Sequence, residues 1–108
     1  MSNSKVLHKL CWLHDWTCYY CHCEVRFTEP RTASSPTVDH KIPRGRGGRH
    51  AQFNLVLACY SCNHKKGDMT EEEFEVFNRC LDSGMSKRMA LKYVQNEFDI
   101  PPLYGGNK

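Results

Sequence analysis

Two Cys-x-x-Cys pairs, Cys18/Cys21 and Cys59/Cys62, stand with 37 residues between them. A Cys-x-x-Cys turn aims two sulfurs at one point, and two such turns complete a tetrahedral zinc site. If the four thiols share an ion, the intervening segment must fold back on itself, which excludes any extended arrangement of the chain's middle. The chain has seven cysteines, an odd number. Cys23 lies only two residues from Cys21, a poorer clamp than a spacing of three, and is left outside the quartet. Cys11 and Cys80 fall on apolar helix faces and read as packing. His22 and His64 are the substitute ligands that local spacing offers.

Met1 to Lys9 leads into no long apolar run, so a secretory leader is not expected, and no stretch approaches the ~20 apolar residues of a membrane span. The expected location is the cytoplasm, where thiols stay reduced and close cysteine pairs bind metal rather than each other. With 108 residues, one domain is expected over 1–108, its core about 16–68, its C-terminal helices about 70–98, and a flexible tail at 101–108. A small core gains from a metal staple, which contributes on the order of 10 kcal/mol to folding.

The formal charge is +3, falling to about +1 once four thiolates and a zinc ion are counted. Distribution says more than the sum. From His40 to Gly67 there is no acidic residue, but there are Lys41, Arg44, Arg46, Arg49, Lys65 and Lys66; from Asp68 to Asp82 acids dominate. The middle of the chain is composed to meet anions, although a basic cluster by itself is more often a solvated face.

Residues 4–14 place Val6, Leu7, Leu10, Cys11 and Leu13 at helical spacing. Thr28 to Pro36 reads as a loop. Thr37 to Ile42 alternates as a strand ended by Pro43, and Phe53 to Ala58 reads as a second strand or extended run. Cys59 to Lys66 opens a short helix stopped by Gly67. Thr70-Glu71-Glu72-Glu73 is a capping box ahead of a helix with Phe74, Phe77 and Leu81 on one face. Ser86 caps a last helix running through Phe98, with Met89, Leu91, Val94 and Phe98 as its inward residues.

Hydrolysis of a phosphodiester needs a base for the attacking water and positive charge at the leaving oxygen. Between the cysteine pairs, Asp39-His40 supplies both residue types. His40 is the candidate base, its imidazole titrating near neutrality. Asp39 is the lone carboxylate between Glu29 and Asp68, hence the hard oxygen ligand for a magnesium ion. On a strand the two would point to opposite faces, and alternation alone does not decide which is structural. Asn63 offers a second, amide oxygen. An isolated Asp-His is more often a hydrogen-bonded turn than a site, so its context matters.

That context is the run from Asp39-His40-Lys41-Ile42-Pro43 through Gly47-Gly48 and Asn54-Leu55 to Cys59-x-x-Cys62-Asn63-x-x-Lys66-Gly67. In this order and spacing it resembles the HNH endonuclease family in its zinc-bound branch, from Cys18 to about Asp68. The resemblance implies an α+β fold: a small ββα-metal core, of the HNH or His-Me finger type, with a structural zinc and flanking α-helices. It implies His40 as the general base, Asn54 as the residue that orients it and steadies the loop, and Asn63 with Asp39 as ligands of a catalytic Mg2+, Mn2+ or other divalent ion. Many relatives carry His where this chain has Asn63, making it an H-N-N version. Cys18, Cys21, Cys59 and Cys62 match the structural Zn2+ ligands. The products would carry a 5′ phosphate. Arg44, Arg46, Arg49 and Lys66 are the candidate phosphate contacts, which would position DNA with little sequence preference.

The resemblance extends to small phage or mobile-element nucleases, for which DNA and a DNA-packaging terminase or other DNA-processing protein are the expected partners, the host cytoplasm is the setting, and no membrane is involved; restriction or recombination fits as well. The competing class is a non-catalytic zinc knuckle that binds nucleic acid or protein, which has no use for Asp39, His40 and Asn63 together. A redox or disulfide protein is the third.

Overall fold

The computed structural model describes residues 3–98, which divide into two compact units parting between Gly67 and Asp68. The first unit begins with helix α1 (Asn3–Leu13), continues through strand β1 (Pro36–His40) and strand β2 (Leu55–Cys59), and ends with helix α2 (Tyr60–Lys66). The second holds helix α3 (Glu71–Asp82) and helix α4 (Lys87–Glu97). The fold is α+β, a ββα unit with further helices. No described helix is long and apolar enough to cross a membrane.

β1 and β2 pair antiparallel, with Pro36 opposite Cys59, Val38 opposite Leu57 and His40 opposite Leu55. A two-stranded sheet is marginal alone, and here both strands have helices against them. α1 packs on both strands and buries Leu10 and Cys11. All five residues of β2 are buried, which is why its sequence, Leu-Val-Leu-Ala-Cys, lacks the alternation of a half-exposed strand. Burial of Leu57 stabilises the fold by roughly 1.5–3 kcal/mol. Two strand limits differ from the expected ones. β1 stops at His40 because Ile42 turns its amide to the Asn54 side chain, and Phe53 lies in a 3-10 turn (Gln52–Asn54) rather than on β2.

The first cysteine pair reaches β2 through backbone hydrogen bonds. Asp15 and Trp16 adopt left-handed φ angles, reversing the chain after α1, and the Trp16 amide donates back to Cys11 O at 2.7 Å. The Cys18 amide donates to Cys23 O at 2.9 Å and the His22 amide to Cys18 O at 3.0 Å, closing a tight knuckle. The Tyr19 amide then donates to Leu57 O at 2.8 Å, laying the knuckle against β2.

The loop between the strands is compact. A 3-10 turn covers Arg44–Arg46, Gly47 takes φ 94°, and the Gly48 amide donates to Pro43 O at 2.9 Å. Gly48 has no alternative: a Cβ there would sit 1.7 Å from Ile42 O.

In the second unit the capping box forms as expected, with Glu73 N donating to Thr70 Oγ1 at 3.2 Å and Thr70 N to Glu73 Oε1 at 2.9 Å. Phe74, Phe77 and Cys80 are buried on α3. Ser86 caps α4 through the Met89 amide, but the inward face of α4 is corrected. Ala90 and Val94, four apart, are its buried residues, whereas Met89 and Phe98 are exposed. Val94 is inward as expected and Leu91 is half-buried, so the stripe is misjudged at Met89 and Phe98, while the small Ala90, not expected there, is fully buried. The prolines and tail at 101–108 lie outside the described residues.

Candidate metal and catalytic site

The four paired cysteines converge. The Sγ atoms of Cys18, Cys21, Cys59 and Cys62 all lie within 4.8 Å of one another, and Cys21 Sγ is 3.8 Å from Cys59 Sγ. Tetrahedral zinc with Zn–S bonds of about 2.3 Å requires edges of about 3.8 Å, so the sulfurs need little movement to close on an ion. Cys18, Cys59 and Cys62 are buried and Cys21 is exposed. Backbone amides already point at two of the sulfurs: Tyr20 N and Cys21 N at Cys18 Sγ (3.4 and 3.5 Å), and Cys62 N at Cys59 Sγ (3.4 Å). Such donors favour the thiolate. The hydrogen bond from Cys62 above all, together with amides including that of Cys21, pulls the Cys18 thiol down to about 4 against its burial. The Cys59 thiol is pushed up by burial and by the charges of Cys18 and Cys21, a repulsion that a bound cation relieves. The donor set therefore fits a soft divalent metal. Among the described residues Cys23 stays outside the quartet, and burial with its neighbouring thiols pushes it up to about 12. His22 is exposed. His64 is exposed on α2 with its ring stacked on Tyr60 at 5.9 Å.

Strand alternation separates Asp39 from His40. Asp39 points inward, with 5% of its surface exposed. Its Oδ2 accepts from Tyr20 Oη at 2.5 Å and lies 3.3 Å from Lys66 Nζ. Burial pushes the Asp39 carboxyl up while Tyr20 and Lys66 pull it down. Lys66, expected at a phosphate, is corrected: it is 1% exposed and its ammonium donates to His40 O at 2.9 Å and Asp39 Oδ1 at 3.4 Å. A buried ammonium needs a carboxylate and acceptors, and α2 carries Lys66 to both, so it braces β1 instead of meeting solvent.

α2 also carries Asn63. Its Nδ2 donates to Thr37 Oγ1 at 2.9 Å and to Val38 O at 3.1 Å. Asn63 and Lys66, three apart and so on one helix face, thus grip successive parts of β1. Asn63 also lines an open cleft of about 400 Å³ with Arg31, Pro36, Thr37, Tyr60 and His64, and Arg31 lies 4.8 Å over the Tyr60 ring.

Asn54 is buried and clamps the loop. Its Oδ1 accepts from Ile42 N at 2.9 Å, and its Nδ2 donates to Ile42 O at 3.0 Å and Arg49 O at 2.9 Å. The Asn54 carbonyl accepts from Lys41 N at 2.8 Å, directly after His40. His40 itself is half-buried. Burial, then the nearby His50 and Arg44, lower its pKa. Arg44 and Arg49 are exposed on the loop and Arg46 is half-buried.

Two participants were not singled out from the sequence. Tyr20 read only as an aromatic between thiols, and His50 carried no motif at all. His50 Nδ1 lies 3.0 Å from His40 Nε2. No local pattern signals either contact, since each joins residues ten or more positions apart.

A four-cysteine cluster that could hold a metal ion, set in a strand-loop-strand-helix unit with Asp-His at the end of the first strand and Asn on the helix behind it, defines a small ββα domain. Residues 18–69 match the HNH endonuclease family, and that segment is an HNH endonuclease domain. Over 52 residues the chain is 38% identical to the CRISPR-associated endonuclease Cas9 of Corynebacterium diphtheriae, a stretch covering 47% of this chain and 4% of that protein.

Proposed function

We propose that this protein is a metal-dependent DNA endonuclease that hydrolyses phosphodiester bonds, with His40 as its general base. One arrangement supports the reading: α2 sets Asn63 against Thr37 and Val38 and Lys66 against Asp39 and His40, so a single helix braces the strand that ends in the Asp39-His40 pair.

His40 takes a proton from water, and the resulting hydroxide attacks phosphorus in line. The bond from phosphorus to the 3′ oxygen breaks, leaving a 3′ hydroxyl and a 5′ phosphate. Asp39 and Asn63 would be the residues to offer hard oxygens to a magnesium-type ion. The Asp39 carboxylate has about four lone-pair positions, so Tyr20 and Lys66 orient it without exhausting it. When bound, the divalent ion supplies positive charge at the scissile phosphate and leaving oxygen. Arg44, Arg46 and Arg49 line the loop beside His40 and contact phosphates without reading bases.

The test is cleavage of supercoiled plasmid by the zinc-loaded protein, with and without added Mg2+ or Mn2+. Cleavage is expected to need the added ion and to fall by about 10²–10⁴-fold in His40→Ala, with zinc content and melting temperature unchanged. A zinc-loaded wild type that binds DNA but never cuts it makes the domain a binding module. A His40→Ala variant as fast as wild type removes His40 from the chemistry.

A further inference from the structure

His50 is held where it is by its neighbours. The Asn54 side chain donates to Arg49 O at 2.9 Å and the Asn54 amide to Ala51 O at 2.8 Å, so the residues on both sides of His50 are tied to one buried residue. Gly48, pressed against Ile42 O, fixes the approach of the loop. The result is a direct contact between two imidazoles, His40 Nε2 to His50 Nδ1 at 3.0 Å, with ring centroids 5.1 Å apart and planes at 41°.

A neutral imidazole has one N–H and one lone pair. Two ring nitrogens at this distance form a hydrogen bond only if one of them carries the hydrogen. Were His50 the donor, its Nδ1–H would occupy the His40 Nε2 lone pair, and His40 would carry its own hydrogen on Nδ1. No lone pair would then remain to receive a proton from water. With His40 as donor, its Nε2–H points at the bare Nδ1 of His50, and its own Nδ1 is free. Only the second arrangement leaves His40 a base.

We propose that His50 is a positioning residue for the nuclease reaction. Its Nδ1 accepts the Nε2–H of His40, holding His40 in the tautomer whose Nδ1 keeps its lone pair. The inference rests on the reading of His40 as the base. Triads use a third group in the same way, to fix the tautomer and orientation of a catalytic imidazole and to steady the imidazolium that forms. Here a neutral imidazole takes that place, and no carboxylate is needed.

The experiment compares His50→Ala and His50→Asn with wild type, all zinc-loaded and with Mg2+, on plasmid DNA. The tautomer of His40 is read by long-range proton–nitrogen NMR. In His50→Ala, kcat is expected to fall about 10–100-fold, with KM within about threefold and zinc content unchanged. His50→Asn, whose amide oxygen can replace the Nδ1 acceptor, recovers most of that loss. In the wild type, the His40 hydrogen resides on Nε2. A hydrogen on His40 Nδ1 in the wild type overturns the proposal, as does wild-type kcat in His50→Ala or a loss confined to KM, which would mark His50 as a substrate contact. An inactive His40→Ala beside a fully active His50→Ala sinks this inference alone, whereas an active His40→Ala sinks the reading beneath it. The wild-type tautomer decides the matter even if His50→Ala fails to fold.

Discussion

Lys66 Nζ lies 3.3 Å from Asp39 Oδ2, with both side chains out of solvent, and reaches across from α2 to the His40 carbonyl. One ammonium therefore fixes the helix to the strand at the pair Asp39-His40. Removing one partner of a buried ion pair costs about 3–5 kcal/mol, because the other charge is left uncompensated.

Lys66→Ala is accordingly expected to lower the melting temperature sharply and to leave the salt dependence of DNA binding unchanged in the variant that remains folded. Thermal denaturation together with DNA affinity at several salt concentrations checks this. A variant as stable as wild type whose binding has lost about one phosphate contact's worth of salt slope would return Lys66 to the role of phosphate ligand.

Cys59→Ser removes one sulfur from the quartet, while its hydroxyl can still cap α2 through the Cys62 amide, so the change falls on metal binding. The variant is expected to bind no zinc and to lose its cooperative melt, since structural zinc contributes on the order of 10 kcal/mol. Zinc stoichiometry and circular dichroism read both. A wild-type protein that holds no zinc and melts as well after exhaustive chelation would dismiss the knot.

Asn54→Ala strips three hydrogen bonds from the backbone of Ile42 and Arg49. The expected cost is about 2–4 kcal/mol, from buried groups left without partners. The amides of Ile42 and of the Arg44–Ala51 loop should exchange faster with deuterium. Unchanged exchange in that loop would mean that its glycines and 3-10 turns hold it unaided.

The base must be unprotonated to act, and His40 is pushed below the ordinary imidazole range by burial first, then by His50 and Arg44, with Asp39 opposing. The sign is therefore fixed. As pH falls through about 6.5, His40 stays neutral and kcat/KM holds, dropping only at lower pH; a divalent ion nearby pushes the same way. A pH–rate profile at constant free Mg2+, with zinc content followed in parallel, measures it. An acid limb above 6.5 would contradict the assignment.

Much of this protein was legible along the chain, because the relevant signals are local. Cys-x-x-Cys spacing dictates a knuckle, Thr70 three residues before Glu73 dictates a cap, and the apolar run within Phe53 to Ala58 marks a second strand, though not its limits. Met89 and Phe98 misled because hydrophobic size does not say which side of a helix comes closest to its neighbour. Tertiary structure decided what depends on residues far apart in sequence. Lys66 reads as a surface charge until α2 is laid on β1, and only then do Asp39 and the His40 carbonyl surround it. His50 has no signature, and its contact with His40 exists because one buried asparagine closes the loop between them. Composition and spacing determine which chemical groups are present and the turns that present them; the closure of loops and the packing of helix on strand determine which group meets which.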